Sequence, residues 1–186
     1  DLSNVSFDSN AQMTFDGTGD YINIADGLAS VDTTKLSIEM IFKSTSGDSS
    51  FRPLLGINGD QPNGGYICLG DFTGQWPNES ISCIFVNASG TIFLSFAHTG
   101  GYTLLKDGNY HHIVFNFETS NYKIFIDGIE VAINASYRNG SAATPMISNL
   151  FNTTASPNVR VGIVGTGSNG FVGDIPVTKI YNRALT

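Results

Sequence analysis

The sequence DGNYHHIVFNFETSNYKIFIDGIEV, residues 107–131, decides the fold class of this chain. Within it, Ile113, Phe115 and Phe117 recur at every second position, and this period of two is typical of a β-strand with one buried face. The dipeptide Asp127-Gly128 then separates two further runs rich in β-branched and aromatic residues, and it favours a two-residue hairpin turn that needs positive φ. The stretch therefore predicts antiparallel strands joined by tight turns.

The same period of two continues on both sides of this stretch. In LSIEMIFK, residues 36–43, apolar residues stand at every even position, and further along the chain Val159, Val161 and Ile163 share a face. Turn dipeptides that contain glycine lie between such runs, and no segment shows a capped helix with a period of 3.6. About a dozen strands at this spacing predict an all-β fold, an antiparallel two-sheet β-sandwich.

Size and composition narrow the function classes. A chain of 186 residues fits one domain, residues 1–186, that removes roughly 70% of its unfolded surface from water. Only 13% of the residues are charged and the net charge is −7, so we expect neither a nucleic-acid partner nor an anionic membrane surface. No apolar run approaches 18 residues, which predicts no membrane span. Low charge with 21 glycines suits an extracellular or particle-surface β protein.

The two cysteines leave two interpretations open. Cys68 and Cys83 lie 15 positions apart, on what the pattern predicts to be neighbouring strands. They could form a cross-strand disulfide or remain two buried thiols, and a metal site would need more ligands than these two.

Catalytic arrays are not evident in the sequence. Hydrolysis of a glycosidic bond needs two carboxylates that face each other across the bond, whereas Glu39, Glu118 and Glu130 are isolated and fit solvated positions on a sheet. His111 and His112 are adjacent on one strand and must point to opposite faces, so they cannot both bind one metal ion. We therefore predict that the chain is not an enzyme.

Four segments resemble, in order, the signature segments of the concanavalin A-like, laminin G-like jelly-roll domains. They are MTFDGTGDYINI (13–24), LSIEMIFKS (36–44), the stretch 107–131 and FVGDIPVTKIYNRALT (171–186). The resemblance covers most of the chain, and the regions around 50–105 and 137–158 match poorly. It implies a jelly roll in which the first and last strands lie side by side in one sheet. Pro176 departs from the family pattern and should lie at an edge or a bulge.

The resemblance also implies a range of functions. Such domains bind glycans or proteins, accompany the catalytic domains of secreted enzymes, or form fibre, tail and capsid-surface modules. The expectation is a non-catalytic carbohydrate-binding or adhesive module, extracellular, on a secreted protein or a virion surface, with a glycan or a surface protein as its partner. The alternative is a structural capsid, tail or fibre domain of a virus or phage, which would self-assemble or bind other virion proteins.

Two long loops, residues 71–80 and 137–158, interrupt the strand pattern and are candidates for the glycan site. A sugar needs an aromatic plane for its apolar face, and Asp, Asn or backbone groups for its hydroxyls. The predicted ligand-binding residues in or near these loops are Asp71, Trp76, Asn78, Tyr102, Tyr137 and Asn139. The competing interpretation makes Trp76 a core residue beneath its own loop.

Calcium is the one cofactor that the sequence suggests. In DGTGD, Asp16 and Asp20 lie on one glycine-rich turn, and Asp174 could approach them if the first and last strands pair. Carboxylate oxygens on a flexible loop are ligands that Ca²⁺ prefers, and the resemblance to lectin-like domains implies such an ion. Alternatively, these aspartates form the turn and cap its backbone.

Overall fold

The structure is a computed structural model. It describes residues 2–3, 6–9, 12–24, 35–44, 51–57, 65–70, 80–86, 92–99, 104–118, 121–133, 135–138, 159–164 and 170–185.

Fifteen strands in these ranges form two antiparallel sheets. The eight-stranded sheet has the order β1 (Leu2–Ser3), β4 (Tyr21–Ile24), β14 (Val159–Val161), β6 (Arg52–Ile57), β7 (Gly65–Leu69), β8 (Ser80–Val86), β9 (Ile92–Thr99) and β13 (Ala135–Arg138). The seven-stranded sheet has the order β12 (Ile129–Val131), β11 (Asn121–Ile126), β10 (His111–Glu118), β5 (Lys35–Ser44), β15 (Val172–Tyr181), β3 (Met13–Asp16) and β2 (Ser6–Phe7).

The predicted all-β, antiparallel two-sheet sandwich is confirmed. Helical backbone in the described ranges is confined to Leu104 and Leu105. None of the helical structure described for this chain is long and apolar enough to cross a membrane.

The core lies between the two sheets and follows the predicted alternation. Even-numbered residues of β5 and odd-numbered residues of β10 point inward, and they pack against residues of β6, β7 and β8. Phe171 contacts Phe15 and Phe42 edge to face, with ring centroids 6.3 and 6.0 Å apart. Each such side chain contributes about 1.5–3 kcal/mol by leaving water, so these inward faces stabilise the fold.

The last strand, β15, pairs with two strands from the first quarter of the chain. β15 lies between β5 and β3, so it pairs with the first signature segment, with Asp174 opposite Thr14. The first strand of the chain, β1, lies in the other sheet, so the implied pairing of first and last strands holds for that segment and not for β1. The register of β15 against β5 shifts between Asp174 and Val177, so Pro176 lies in a bulge, as predicted. Its missing N–H therefore removes no regular ladder hydrogen bond.

The hairpin at Asp127-Gly128 is also confirmed. Ile126 pairs with Ile129 across it, and Asp127 and Gly128 have φ of 51° and 81°. This backbone conformation is the one that the Asp-Gly sequence predicts for a two-residue turn.

The cysteine question is resolved by the strand register. Cys68 is opposite Ser82, whereas Cys83 is opposite Ile67, so the two thiols point to opposite faces of the sheet. Both are free and buried. The disulfide interpretation is therefore wrong and the interpretation as two buried thiols is right. Burial, together with the neighbouring Cys68, raises the pKa of the Cys83 thiol well above its ordinary value.

Candidate functional site

The outer face of the seven-stranded sheet brings together polar residues from three neighbouring strands. Odd-numbered residues of β5 point outward, because the even-numbered ones fill the core. Glu39 of β5 lies opposite Val114 of β10 and Lys179 of β15. His112 and Tyr181 are its diagonal neighbours on the same two strands, within reach of a long side chain.

Glu39 is the centre of a hydrogen-bonded cluster, which we call the Glu39 network (Glu39, His112, Lys179 and Tyr181). Its Oε1 lies 3.0 Å from Nε2 of His112, and its Oε2 accepts a hydrogen bond from the Tyr181 hydroxyl. The ammonium of Lys179 lies 3.6 Å from the same Oε2. Donors from two flanking strands therefore hold this carboxylate in one orientation.

The hydrogen bonds of the network shift the pKa values of Glu39 and Tyr181. The hydrogen bond from Tyr181 is the largest cause that lowers the pKa of Glu39, and His112 and Lys179 lower it further against the opposing effect of burial. The same bond raises the pKa of the Tyr181 hydroxyl. Glu39 therefore remains an ionised acceptor, and Tyr181 remains a protonated donor.

A cleft of about 390 Å³ lies over this network. Apolar groups form the rest of its wall: Val114 of β10, Phe125 of β11 and Leu185, with Gly128 of the hairpin beside them. Its volume lies within the range typical of small-molecule sites, roughly 300–1,000 Å³. The cleft thus combines two aromatic side chains, Phe125 and Tyr181, with one ionised carboxylate.

Residues 182–185, which we call the strap, fold back over the outer face after β15. Asn116 donates from Nδ2 to the carbonyl of Leu185 at 2.5 Å, and Leu185 N–H donates to Ser37 Oγ at 3.0 Å. Ser37 Oγ also lies 2.7 Å from the Arg183 carbonyl and 2.6 Å from Asn116 Oδ1, and its single proton can be given to one of these at a time. These bonds place Leu185 in the wall of the cleft.

A second polar cluster surrounds Asp174 on the same face. Its Oδ2 lies 2.6 Å from the ammonium of Lys43 and accepts from the Tyr110 hydroxyl at 3.1 Å. Its Oδ1 accepts from Thr14 Oγ1 at 3.2 Å. The hydrogen bond to Asp174 is the largest cause that raises the pKa of Lys43. The ammonium of Lys43 therefore neutralises the charge of the Asp174 carboxylate.

Asp16 and Asp20 act on the backbone of their own turn. Asp20 Oδ2 accepts from the N–H of Asp16 at 2.6 Å, and Asp16 Oδ1 accepts from the N–H of Thr18 at 2.7 Å. Burial raises the pKa of Asp20. In the part of the chain that the structure describes, no three His, Cys, Asp or Glu side chains are grouped so that they could hold a metal ion. Asp16, Asp20 and Asp174 are therefore not grouped with one another in this arrangement, and calcium binding at them stays a prediction.

The predicted glycan residues are mostly outside the described ranges. Only Tyr137 lies within them, and its backbone is in β13, opposite Ser95. Residues 137 and 138 thus end a strand rather than begin the predicted loop. The remaining five predicted residues lie outside the described residues: Asp71, Trp76, Asn78, Tyr102 and Asn139.

The Glu39 network is the feature that sequence reasoning missed. Glu39 was expected to be a solvated residue on the sheet, but its side chain is only 17% exposed. The prediction that the two adjacent histidines point apart is confirmed, because His112 contacts Glu39 while His111 contacts Asp107 and Asp127. The only signal in the sequence is that Glu39 and His112 both occupy outward-facing positions of their strands. That signal indicates a contact only when the register between β5 and β10 is known.

Solved structures with the same fold share little sequence with this chain. A carbohydrate-binding module, CBM40, of the Ruminococcus gnavus IT-sialidase, bound to α2,3-sialyllactose, is 15% identical, with a TM-score of 0.65 over 94% of this chain and 91% of that one. Domain 4 of AbnA, an extracellular GH43 arabinanase of Geobacillus stearothermophilus, in complex with arabinotriose, is 19% identical, with a TM-score of 0.60 over 100% and 78%. The binding domain of botulinum neurotoxin serotype D is 14% identical, with a TM-score of 0.65 over 98% and 42%.

The family comparison agrees with the fold. No curated protein matches the chain by sequence. The family model described as the concanavalin A-like lectin/glucanases superfamily matches residues 16–186. Since this match covers most of the sequence and the two antiparallel sheets are those of a sandwich, the chain belongs to the concanavalin A-like lectin/glucanase superfamily.

Proposed function

We propose that this chain is a non-catalytic carbohydrate-binding module whose ligand occupies the cleft over Glu39. One observation carries the proposal: an ionised carboxylate, held by donors from both flanking strands, lies beside two aromatic side chains in a cleft of about 390 Å³. The solved relatives that were determined with sialyllactose and arabinotriose support a glycan as the ligand class.

The chemistry of the cleft suits a sugar ring. Sugars have apolar faces that pack against aromatic side chains, and Phe125 and Tyr181 supply these. Their hydroxyls need polar groups at defined positions, and Glu39 and His112 supply those. Because paired strands position all four residues, little rotamer freedom is lost on binding, which favours affinity.

The charge pattern of the cleft supports a binding role over a hydrolytic one. Among the described residues that line it, Glu39 is the only carboxylate. Hydrolysis of a glycosidic bond by the usual mechanism requires a second carboxyl group about 5–9.5 Å away. A single carboxylate whose oxygens already accept hydrogen bonds suits recognition of hydroxyl groups.

The setting of the module is part of the proposal. We take residues 1–186 as one module that acts outside the cell, on a secreted protein or a virion surface. In that case the predicted loop residues, Trp76 among them, would extend the binding surface. The alternative role as a structural virion domain is supported by the low charged fraction of 13%, which suits packing against neighbouring subunits.

A glycan array with the purified chain tests the function, run once with Ca²⁺ and once with EDTA. We expect selective binding, and Glu39→Gln should weaken it about tenfold or more, because a hydrogen bond to a charged group contributes about 1.5–3 kcal/mol. Glu118→Gln is the matched control, since Glu118 lies on the same face of β10, four residues beyond Val114.

The outcomes separate the alternatives. If folded protein bound no glycan on a broad array, the carbohydrate role would be rejected. Self-assembly, measured by sedimentation, would then be the next test of the structural role. Binding that Glu39→Gln and Glu118→Gln affect equally would reject the cleft as the site. Binding that is lost in EDTA would establish the predicted calcium dependence.

A further inference from the structure

We propose that the ligand of the cleft is an uncharged sugar, recognised through hydrogen bonds that its hydroxyl groups donate, and not an acidic sugar. This inference rests on the proposed carbohydrate function and specifies its ligand class. It follows from an inventory of the hydrogen-bonding positions that the Glu39 network leaves open to a ligand.

The first open positions are on Glu39 and Tyr181. An ionised carboxylate offers about four acceptor positions, and the hydrogen bonds of His112 and Tyr181 use two of them, while Lys179 forms an ion pair at 3.6 Å. The hydroxyl proton of Tyr181 is donated to Glu39, so the Tyr181 oxygen can only accept a hydrogen bond from a ligand. Both residues therefore offer acceptors.

His112 adds a further polar group that a ligand can reach. Its Nε2 lies 3.0 Å from Oε1 of Glu39, and its side chain is 38% exposed. The acceptor positions on Glu39 and Tyr181 call for a ligand that presents several donors, as neighbouring sugar hydroxyls do.

The charges around the cleft give an anion no net attraction. Two cations adjoin the cleft: Lys179, a member of the network that is paired with Glu39, and Arg183, whose guanidinium lies 5.9 Å from the Tyr181 ring centroid. Lys179 is 56% exposed, so its field is screened by solvent and salt.

The charged groups at the hairpin side of the cleft add no net positive charge. Asp127 directly precedes Gly128 in the cleft wall, and Glu130 is opposite Phe125. Glu130 is paired with Lys123 at 2.9 Å, and Asp127 with His111 at 2.9 Å. The protein as a whole carries −7, which repels anionic glycans at longer range.

The test uses matched pairs of glycans on the array that differ only in one terminal acidic sugar, for example lactose and α2,3-sialyllactose. For the pairs that bind, we expect the uncharged member to bind about tenfold more tightly or better, because placing like charges together costs several kcal/mol. Glu39→Gln should reduce that ratio towards one, since it removes the charge and adds a donor, whereas Glu118→Gln should leave the ratio unchanged.

Preference for the acidic member, or equal binding of both, would overturn this inference while leaving carbohydrate binding intact. An acidic preference that weakens with salt and with Lys179→Ala or Arg183→Ala would identify those cations as the recognition groups instead. Silence of the whole array with folded protein would overturn the inference together with the proposed function.

Discussion

On both sheets several outward-facing residues of the central strands are buried, but the chemistry of their burial differs. On the seven-stranded sheet, Ser37 and Asn116 are 0% and 4% exposed, and they are hydrogen-bonded to each other and to the strap. On the eight-stranded sheet, Tyr66, Cys68 and Ile84 form a small apolar cluster that is 0–6% exposed.

This difference indicates which of the two outer sheet faces is suited to binding a ligand. Hydrogen bonds are directional, so the polar face fixes side-chain positions within narrow limits, and it leaves defined acceptors free for a ligand. Apolar contacts are not directional, and the cluster on the other sheet chiefly removes surface from water. We therefore expect changes on the apolar face to affect stability alone, and changes on the polar face to affect both stability and binding.

The largest effect should come from Ile84→Ala in the apolar cluster. Ile84 is fully buried, and truncation of a buried isoleucine to alanine costs about 2–5 kcal/mol. The free energy of unfolding from urea denaturation should fall by that amount, while the glycan affinity of the folded protein stays within about twofold.

Lys123→Ala is the control for this measurement, because its exposed ion pair with Glu130 contributes about 0–1 kcal/mol. A large loss of affinity in folded Ile84→Ala protein would contradict the separation of the two faces.

A smaller effect is expected for Asn116→Ala on the polar face. The change removes the hydrogen bonds of Asn116 to Leu185 and leaves buried groups of the strap without partners, which costs about 1–3 kcal/mol. The strap should detach, so trypsin should cleave after Arg183 faster than in the wild type, as measured by mass spectrometry of the released fragment. Glycan affinity should fall as well, because Leu185 leaves the cleft wall.

Asn121→Ala is the matched control, because it is an exposed asparagine on the neighbouring strand. If Asn116→Ala lowered stability and left the cleavage rate after Arg183 unchanged, the hydrogen bonds would not be what holds the strap in place.

The inner faces of the strands could be predicted from the sequence because their signal is local. Ile113, Phe115 and Phe117 alternate within one strand, and all three are buried as expected. The Asp127-Gly128 hairpin and the bulge at Pro176 follow from the backbone chemistry of those residues, so they too could be predicted.

The site could not be predicted because it depends on pairing between distant strands. Glu39 meets His112 and Tyr181 across 73 and 142 positions of sequence, and no local pattern specifies those registers. The cysteines show the same limit, since a shift of one residue decides that Cys68 and Cys83 point to opposite faces. The loops 71–80 and 137–158 have no period that specifies a structure, so the predictions for Trp76 and its neighbours still rest on composition.

The remaining prediction concerns how stability depends on pH at one end of strand β10. There the side chain of His111 contacts an aspartate in each of two turns. Its Nδ1 lies 2.9 Å from Asp127 and its Nε2 lies 3.0 Å from Asp107. Both nitrogens can donate only when the imidazole is charged. Burial lowers the pKa of His111, but the hydrogen bonds and charges of Asp127 and Asp107 outweigh it, and the net pKa is raised. The pKa of Asp107 is lowered to about 2, mainly by Asn109 and then by His111.

A raised pKa of a histidine stabilises the folded state fully below its ordinary value, and the contribution is lost as pH rises through the folded value. Wild-type protein should therefore lose unfolding free energy between about pH 6 and pH 8, and His111→Asn should flatten that slope. The loss should be small, about 1 kcal/mol or less, because Asp107 and Asp127 are 42% and 49% exposed.

Glu39→Gln should change the pH dependence of the unfolding free energy on the acid side instead, when stability is measured by urea denaturation at a series of pH values. The lowered pKa of Glu39 means that its contribution is present above its ordinary value and is lost as pH falls through the folded one. Glu39→Gln should therefore alter the acid side of the stability profile. If His111→Asn kept the wild-type slope between pH 6 and pH 8, the titration would belong to another group, and the two turns would be held together by packing rather than by charge.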